Sequence, residues 1–195
     1  YDLTGPLVYK GYIHNMISTD VLSPYDVISI YVSLLPHEQQ EYQYYRNIYL
    51  NFLRKYQINF NGQKFEWNKF IFLASRTQEG KNALKAYQIQ KKIEKASSAK
   101  LIELWNILFE HKNEQKLIFT DDNDLAYKIA KKFILPAITH LTKLKERQQI
   151  LEAFKNGQIK TIVTSKVINE GVDVPAANVA VVVSCSGAER EHVQR

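Results

Sequence analysis

Two short apolar runs near the carboxyl end of the chain restrict its fold more than any other feature. The first covers residues 161–164 and the second covers residues 179–183. Each run is too short for a helix and is rich in β-branched residues, which indicates a strand buried on both faces of a sheet. Polar residues follow each run, and open parallel sheets bind their ligands just past the ends of their strands.

Strands and helices alternate in the chain upstream of these two runs. Residues 117–119 predict one strand and residues 137–139 predict another, and helical spacing of apolar residues follows each of them. Thr142 is placed to cap the second helix, and Asn156-Gly157 is a common helix end. Strand–loop–helix units at this spacing predict an α/β fold with a parallel sheet. The apolar helical positions are Leu125, Ile129, Phe133, Ile150, Leu151 and Phe154.

The front of the chain predicts mostly helices. Residues 27–35 are strongly β-prone and predict a strand, and Pro36 then favours a helix start. Further helices are predicted at residues 81–95 and around residues 101–109, with a short buried one at residues 67–74. One predicted helical face carries Tyr45, Ile48, Tyr49, Phe52, Leu53 and Tyr56. The chain therefore divides into a mostly helical front portion and an α/β back portion.

Composition excludes several kinds of site. The single cysteine, Cys185, rules out an internal disulfide and a thiolate zinc cluster. The five histidines share no metal-ligand spacing, so none of them is predicted to bind a metal. No apolar run approaches the length of a membrane span. The net charge of +6 is compatible with polyanion binding and equally with an ordinary solvated surface.

Two polar corners follow the predicted strand at residues 161–164. Ser165 and Lys166 offer a hydroxyl, an ammonium and backbone N–H groups, which suit a phosphate oxygen. A helix cap at Ser165 with a solvated lysine is the simpler interpretation of the same residues. Gly171 and Asp173 fit either a tight turn or a contact with a ribose hydroxyl. Local sequence leaves these alternatives open.

The order of several motifs resembles one known family. A strand ends in F-T at Phe119-Thr120, and T-H-x-T-x3-E-R follows from Thr139 to Arg147. V-T-S-K-V-x-x-E-G-V-D-V-P comes next, and the last segment closes on V-Q-R. This series resembles motifs IV, V and the opening of VI of the superfamily 2 helicases, and most closely those of XPB-type DNA repair helicases. The resemblance implies an α/β, RecA-like parallel sheet flanked by helices, with a helical insertion.

The resemblance also implies roles for segments and residues. Residues 1–35 would lead in from a first RecA-like domain, residues 36–98 would form a thumb-like helical insertion, and residues 99–195 would form the second RecA-like domain, truncated within motif VI. DNA-backbone contacts are implied at Thr120, Thr142, Thr164, Ser165 and Lys166, and further phosphate contacts in the insertion at Arg46, Arg54, Lys55, Lys91 and Lys92. Glu170, Gly171 and Asp173 would face the nucleotide, and Gln194 and Arg195 would act in catalysis.

Departures from the family pattern limit what this chain is expected to do alone. It contains no G-x-x-x-x-G-K-[ST] loop and no D-E-x-H box. It also ends before the second arginine of motif VI, the expected finger on the γ-phosphate. ATP with Mg²⁺ is therefore expected to bind mainly to the first RecA-like domain, and this chain alone is expected to be inactive.

The function implied by the resemblance is that of an ATP-dependent 3′-5′ DNA helicase or translocase in DNA repair and transcription-linked DNA opening. Expected partners are single-stranded and forked DNA, with a nuclease or a repair or transcription complex docking on the helical insertion, and no membrane. The expected location is a nucleoid-associated cytoplasm or, in a eukaryote, the nucleus. Two alternatives stay open: a non-catalytic nucleic-acid- or partner-binding RecA-like module, and a different superfamily 2 motor.

Overall fold

A computed structural model describes residues 26–59, 64–165 and 177–184 of the chain. The described helices are α1 (Pro36–Lys55), α2 (Lys64–Arg76), α3 (Gln78–Lys95), α4 (Ser98–Glu110), α5 (Asn123–Phe133) and α6 (Leu144–Lys155). The described strands are β1 (Lys116–Thr120), β2 (Ala137–Ile138), β3 (Thr161–Ser165) and β4 (Val179–Val182). The predicted division into a helical front and an α/β back is confirmed over these residues.

Helix α1 begins where the sequence predicts, at Pro36. Its first turn is completed by the Glu38 carboxylate, which accepts a hydrogen bond of 3.2 Å from the Leu35 N–H. The other carboxylate oxygen accepts a hydrogen bond of 2.7 Å from the Ser98 N–H, at the start of α4. A negative charge at a helix N-terminus is favourable, and one side chain here serves two helices. Glu38 therefore joins the helical front of the chain to its α/β back.

The first three helices bury a core of their own. Helix α1 packs on α3, and α2 packs on α3 as well. The predicted face of α1 is the one that turns inward, because Tyr49, Phe52 and Leu53 are buried. Phe70 of α2 lies at the centre, with no exposed surface. The buried members of this cluster are Tyr49, Phe52, Leu53, Ile58, Phe70, Ala74 and Ala83.

Gly80, in the first turn of α3, allows α3 to approach α2 closely. A Cβ placed on it would lie 2.6 Å from the Ala74 Cα and 2.7 Å from the Leu73 carbonyl oxygen. Both are backbone atoms, so the clash cannot be relieved by a rotamer change.

We expect Gly80→Ala to destabilise the chain by about 1–3 kcal/mol through overpacking, although alanine is the better helix former by about 1 kcal/mol. Urea unfolding would measure the change. Lys85→Ala, on the exposed face of the same helix, is the control and should leave stability within about 0.5 kcal/mol. An equal or higher stability of Gly80→Ala would contradict the close approach.

The four strands form one parallel sheet in the order β2-β3-β1-β4. Every pairing is parallel, and Lys116 of β1 lies opposite both Thr161 of β3 and Val179 of β4. The five residues of β1 and the five of β3 are buried, as the apolar run predicts for a strand covered on both faces. The predicted parallel α/β sheet flanked by helices is confirmed.

Alternate residues of the central strands face two separate cores. Ile118 and Val163 pack with α4 and α5 on one face, together with Leu101, Leu104 and Ile129. On the other face, the core around Phe154 of α6 contains Leu117, Phe119, Ile138 and Ile162. Helix α6 ends at Asn156-Gly157 as predicted, with Gly157 at φ +74°.

The strand predicted at residues 27–35 is wrong. Residues 26–35 form neither helix nor strand and pair with no strand of the described sheet. Their β-branched and aromatic side chains are exposed, and Tyr31 is 94% exposed. High β-propensity makes a strand only where a neighbouring strand can complete its hydrogen bonds.

Across the described ranges, none of the helices has the length and apolar character needed to cross a membrane.

Candidate nucleic-acid interface

Polar side chains collect at the carboxyl ends of β1, β2 and β3. Because the strands are parallel and in register, Thr120 at the end of β1 lies opposite Ser165 at the end of β3. The loop after β2 adds Thr139, His140 and Thr142 to the same edge of the sheet. This polar edge is where an open parallel sheet places its ligand groups.

The hydroxyls of Thr120 and Thr164 are directed into the protein. Thr120 Oγ1 donates to the Asp122 carbonyl oxygen at 2.9 Å and lies 3.3 Å from the Thr164 carbonyl oxygen. Thr164 Oγ1 donates to the Ser165 carbonyl oxygen at 3.3 Å. Both side chains are buried, so neither presents its hydroxyl to a ligand in this structure. Their predicted contacts with DNA stay predictions.

Ser165 is also turned inward. Its side chain is buried, and its hydroxyl donates to Oδ1 of Asn123. Asn123 is the first residue of α5, directly after Asp122, whose carboxylate caps the helix by accepting from the Leu125 N–H at 2.8 Å. The turn after β1 therefore leads directly into a capped helix start. The alternative interpretation, in which Ser165 caps a following helix, concerns residues 166 onward, which lie outside the described residues, and it stays a prediction.

The prediction that Thr142 caps α6 is wrong. Lys143 is the N-cap residue of α6, and its side chain makes no capping hydrogen bond. Thr142 Oγ1 instead accepts from the Thr139 N–H at 2.9 Å and donates to the Ala137 carbonyl oxygen at 3.4 Å. The chain turns back at Thr142, since its own N–H bonds to the Thr139 carbonyl oxygen at 3.1 Å. The threonine therefore stabilises the loop after β2 and not the helix; its predicted DNA contact stays a prediction.

A second layer holds the loop after β2 in place. The Tyr127 hydroxyl lies 2.7 Å from Thr139 Oγ1, and Arg147 Nη2 donates to the Thr139 carbonyl oxygen at 3.3 Å. Thr139 is fully buried. The T-H-x-T-x3-E-R motif therefore acts in part as a structural clamp, because its arginine bonds to its own first threonine.

Asp121 connects the helical front to the sheet, and sequence reasoning did not find it. Its carboxylate accepts from Ser184 Oγ at 2.6 Å and pairs with Lys95 at the end of α3. Burial alone would raise the pKa of Asp121, but the hydrogen bonds from Lys95 and Ser184 outweigh it and hold the pKa below its usual value. The hydrogen bond to Asp121 also raises the pKa of Lys95. The two residues are 26 positions apart, so no local pattern joins them.

Most of the basic residues that were predicted to contact phosphates in the helical front have side-chain partners within the protein. Lys55 pairs with Glu79 at 2.6 Å and Lys91 with Glu94 at 2.9 Å. Arg46 donates to the Tyr42 hydroxyl at 3.1 Å, and Arg54 contacts Asn51 at 3.4 Å. The Lys92 side chain is exposed and makes no ion pair or hydrogen bond with another described residue.

Lys92 belongs to an exposed line of lysines on α3. Lys81, Lys85 and Lys92 follow helical spacing and are all exposed, and none of them pairs with another described residue. The line is about 16 Å long at about 1.5 Å per residue. We call these three residues the lysine line. Its carboxyl end approaches the polar edge, because Lys95 three residues later contacts Asp121.

Six of the predicted site residues lie outside the described residues. They are Lys166, Glu170, Gly171, Asp173, Gln194 and Arg195. Among the residues that the structure does describe, no group of three His, Cys, Asp or Glu side chains is placed to hold a metal ion.

Residues 99–195 match the family model described as helicase conserved C-terminal domain. Over 193 residues, 99% of this chain and 44% of the relative, the chain is 34% identical to the DNA 3′-5′ translocase XPB2 of Sulfurisphaera tokodaii. Over 92 residues, 44% of this chain and 12% of the relative, it is 33% identical to the general transcription and DNA repair factor IIH helicase/translocase subunit XPB2 of Arabidopsis thaliana. The chain thus spans less than half the length of these relatives.

The fold has a counterpart among solved structures. The Sulfolobus solfataricus SWI2/SNF2 ATPase C-terminal domain superimposes with a TM-score of 0.55, covering 84% of this chain and 81% of that chain. The identity between the two is 19%, so this likeness concerns the fold alone.

Proposed function

The chain belongs to the XPB-type superfamily 2 helicases, whose conserved C-terminal domain it carries, and we propose that it is the second RecA-like domain of an ATP-dependent 3′-5′ DNA translocase. The observation that carries the proposal is the polar edge at the carboxyl ends of a parallel sheet. It places an amide and an imidazole together, beside buried hydroxyls, in the half of the chain that matches the helicase model. Amide and imidazole N–H donors suit a nucleic-acid backbone, which is bound without regard to base sequence.

We propose that ATP with Mg²⁺ is held mainly by the first RecA-like domain of the whole protein. The described residues of this chain fit a supporting role and not a phosphate cradle. The chain carries no G-x-x-x-x-G-K-[ST] loop, which is the usual cradle for the phosphates of ATP. Glu170, Gly171 and Asp173 would line the facing wall of the cleft, with Gln194 and Arg195 beside the phosphates. When bound, the nucleotide would supply the free energy for closing the two domains.

The helical front, residues 36–98, is proposed to act as a thumb-like insertion that holds DNA. Its separate core makes it a distinct packing unit, the Glu38–Ser98 contact joins it to the start of α4, and the Lys95–Asp121 pair joins it to the end of β1. The exposed lysine line gives it an unneutralised positive face. A rigid basic face next to the polar edge would bind further phosphates of the DNA backbone beyond those that the sheet contacts.

We expect removal of the lysine line, by the triple change Lys81→Ala, Lys85→Ala and Lys92→Ala, to weaken binding of single-stranded DNA. The slope of log K against log salt should become less steep by up to about 2, because each released phosphate contact contributes about 0.7. Fluorescence anisotropy with labelled oligothymidine between low and moderate salt would measure it.

The matched control removes three lysines from the other end of the molecule. Lys112, Lys155 and Lys160 are exposed or half-exposed and lie on the amino-end side of the strands, and their triple alanine variant loses the same net charge. Its salt slope should stay unchanged. An equal loss in both variants would show that net charge alone, and not the lysine line, governs binding.

Partners and location follow the same proposal. DNA, single-stranded and at forks, is the primary partner. A nuclease or a larger repair or transcription assembly would dock on the helical insertion, as the Arabidopsis relative's name places that protein in a transcription and repair factor. The protein would act where the DNA is, in the nucleoid region or, in a eukaryote, in the nucleus.

Activity of the whole protein would test the proposal. We expect ATP hydrolysis whose rate rises with single-stranded DNA. We also expect the protein to displace the third strand of a DNA triplex only when 3′-5′ movement brings it to that strand. DNA binding without ATP hydrolysis would favour the non-catalytic module, and 5′-3′ movement or strict dependence on duplex DNA would favour a different superfamily 2 motor.

A further inference from the structure

Asn123 is the middle member of a chain of three hydrogen-bonding side chains across the polar edge. Its Oδ1 accepts from the Ser165 hydroxyl, at the end of β3. Its Nδ2 lies 2.7 Å from Nδ1 of His140, in the loop after β2. One amide, at the start of the helix after β1, therefore connects the ends of three strands.

The burial of the three residues increases from one end to the other. His140 is exposed, Asn123 is half-buried, and Ser165 is only 2% exposed. A phosphate oxygen accepts hydrogen bonds and does not donate them, so any partner must offer it a proton. The Ser165 proton is already donated to Asn123. Ser165 therefore supports the polar edge from the inside, and a backbone phosphate would contact Asn123 and His140.

The direction of the hydrogen bonds determines what the outer residues offer. An amide nitrogen only donates, so Nδ1 of His140 must accept from Asn123. In the neutral ring the proton then lies on Nε2, which makes Nε2 a donor. Asn123 Nδ2 has a second proton that the contact with His140 does not use. Two donors, one amide N–H and one imidazole N–H, thus remain for a ligand.

We propose that Asn123 and His140 contact the DNA backbone phosphate at this edge, and that Ser165 is a positioning residue that holds the Asn123 amide in the donating orientation. This inference rests on the proposed function, since it names the residues of the same interface. The Ser165 hydroxyl of motif V then supports the residues that contact the phosphate and does not contact the phosphate itself.

The effect of removing Asn123 separates this arrangement from a direct contact by Ser165. If Ser165 itself binds the phosphate, Asn123 competes for its proton, and Asn123→Ala should leave DNA affinity unchanged or raise it. The proposed arrangement instead predicts a loss of about tenfold, the size expected for one hydrogen bond to a charged group. Ser165→Ala should lower affinity less, and the Asn123→Ala/Ser165→Ala double variant should bind no more weakly than Asn123→Ala alone.

The test uses anisotropy of labelled oligothymidine with the chain and its variants, each checked for native circular dichroism. Asn106→Ala is the matched control, because Asn106 lies on the exposed face of α4 and its side chain donates to Glu103 at 3.1 Å. A second readout is the ¹⁵N shift of the His140 ring, which reports the tautomer. Wild type should show the Nε2–H form, and Ser165→Ala should lose that preference because the amide is free to flip.

Two contrary results are distinguishable. If the wild-type chain shows no salt-dependent DNA binding, the proposed function fails, and this inference fails with it. If wild type binds but Asn123→Ala binds equally well or better, the proposed function stands and the inference is overturned in favour of a direct Ser165 contact. An unchanged His140 tautomer in Ser165→Ala would likewise overturn the positioning role.

Discussion

Phe70→Ala is expected to lower the free energy of unfolding of the helical front by about 3–5 kcal/mol. Phe70 has no exposed surface, and its ring lies 5.5 Å from that of Tyr49, 5.3 Å from Trp67 and 5.9 Å from Phe52. Alanine would leave a cavity that these three aromatic side chains cannot fill without leaving their rotamers. Hydrogen exchange followed by mass spectrometry would measure the loss segment by segment.

The expected pattern is faster exchange in α1, α2 and α3, with β1 and β3 nearly as protected as in wild type. Phe72→Ala is the control on the same helix. Phe72 is 52% exposed, and the Arg76 guanidinium lies 3.9 Å from its ring centroid. Its removal should cost about 1 kcal/mol or less. Equal loss of protection in the sheet and in the helices of Phe70→Ala would contradict a core of α1, α2 and α3 that is separate from the cores of the sheet.

Lys116→Ala is expected to destabilise the α/β half by about 3 kcal/mol. Lys116 begins β1 and is only 2% exposed. Its ammonium donates to the carbonyl oxygens of His111 at 2.6 Å and Glu114 at 2.7 Å, just past the end of α4. Burial lowers the pKa of Lys116, with the Glu114 charge acting in the opposite direction. Alanine would leave two carbonyl oxygens without this donor and create a cavity beside them.

Lys160→Ala tests the same chemistry at the surface. Lys160 also donates to a backbone carbonyl oxygen, that of Asn113 at 3.3 Å, but its side chain is exposed. Water can replace that bond, so the cost should be below about 0.5 kcal/mol. Urea denaturation of both variants would give the comparison. Similar costs for the two lysines would contradict the structural role of the buried one.

Periodicity predicted most of the fold. The four-residue apolar run before Ser165 became a strand with both faces covered, and the 3.6-residue spacing of Tyr49, Phe52 and Leu53 gave the buried side of α1. These patterns succeed because a buried strand and an amphipathic helix need nothing beyond local spacing and a hydrophobic neighbour. Pro36 and Asn156-Gly157 likewise marked helix ends, since each restricts the backbone at its own position.

Long-range partners were not predictable from local sequence. Residues 27–35 have strand composition, but no described strand lies beside them. The Thr142 hydroxyl has two acceptable uses, and the turn that starts at Thr139 decides between them. Lys95–Asp121 and Ser165–Asn123 join residues distant in sequence, so only the folded chain shows them. The motif specifies only that a hydroxyl is present at residue 165. It does not specify the direction in which that hydroxyl points, so the buried position of Ser165 could not be inferred from it.

The contact surface itself can be mapped directly. Titrating the ¹⁵N-labelled chain with oligothymidine should shift the amide signals of Asn123, Asp124 and His140 at the polar edge, and of Lys92 on the lysine line. Signals at the opposite ends of the strands, such as Gln115 and Lys160, should not move. Shifts confined to those opposite ends, or no shifts with oligothymidine in large excess, would contradict the account that the carboxyl edge of this sheet holds the DNA backbone.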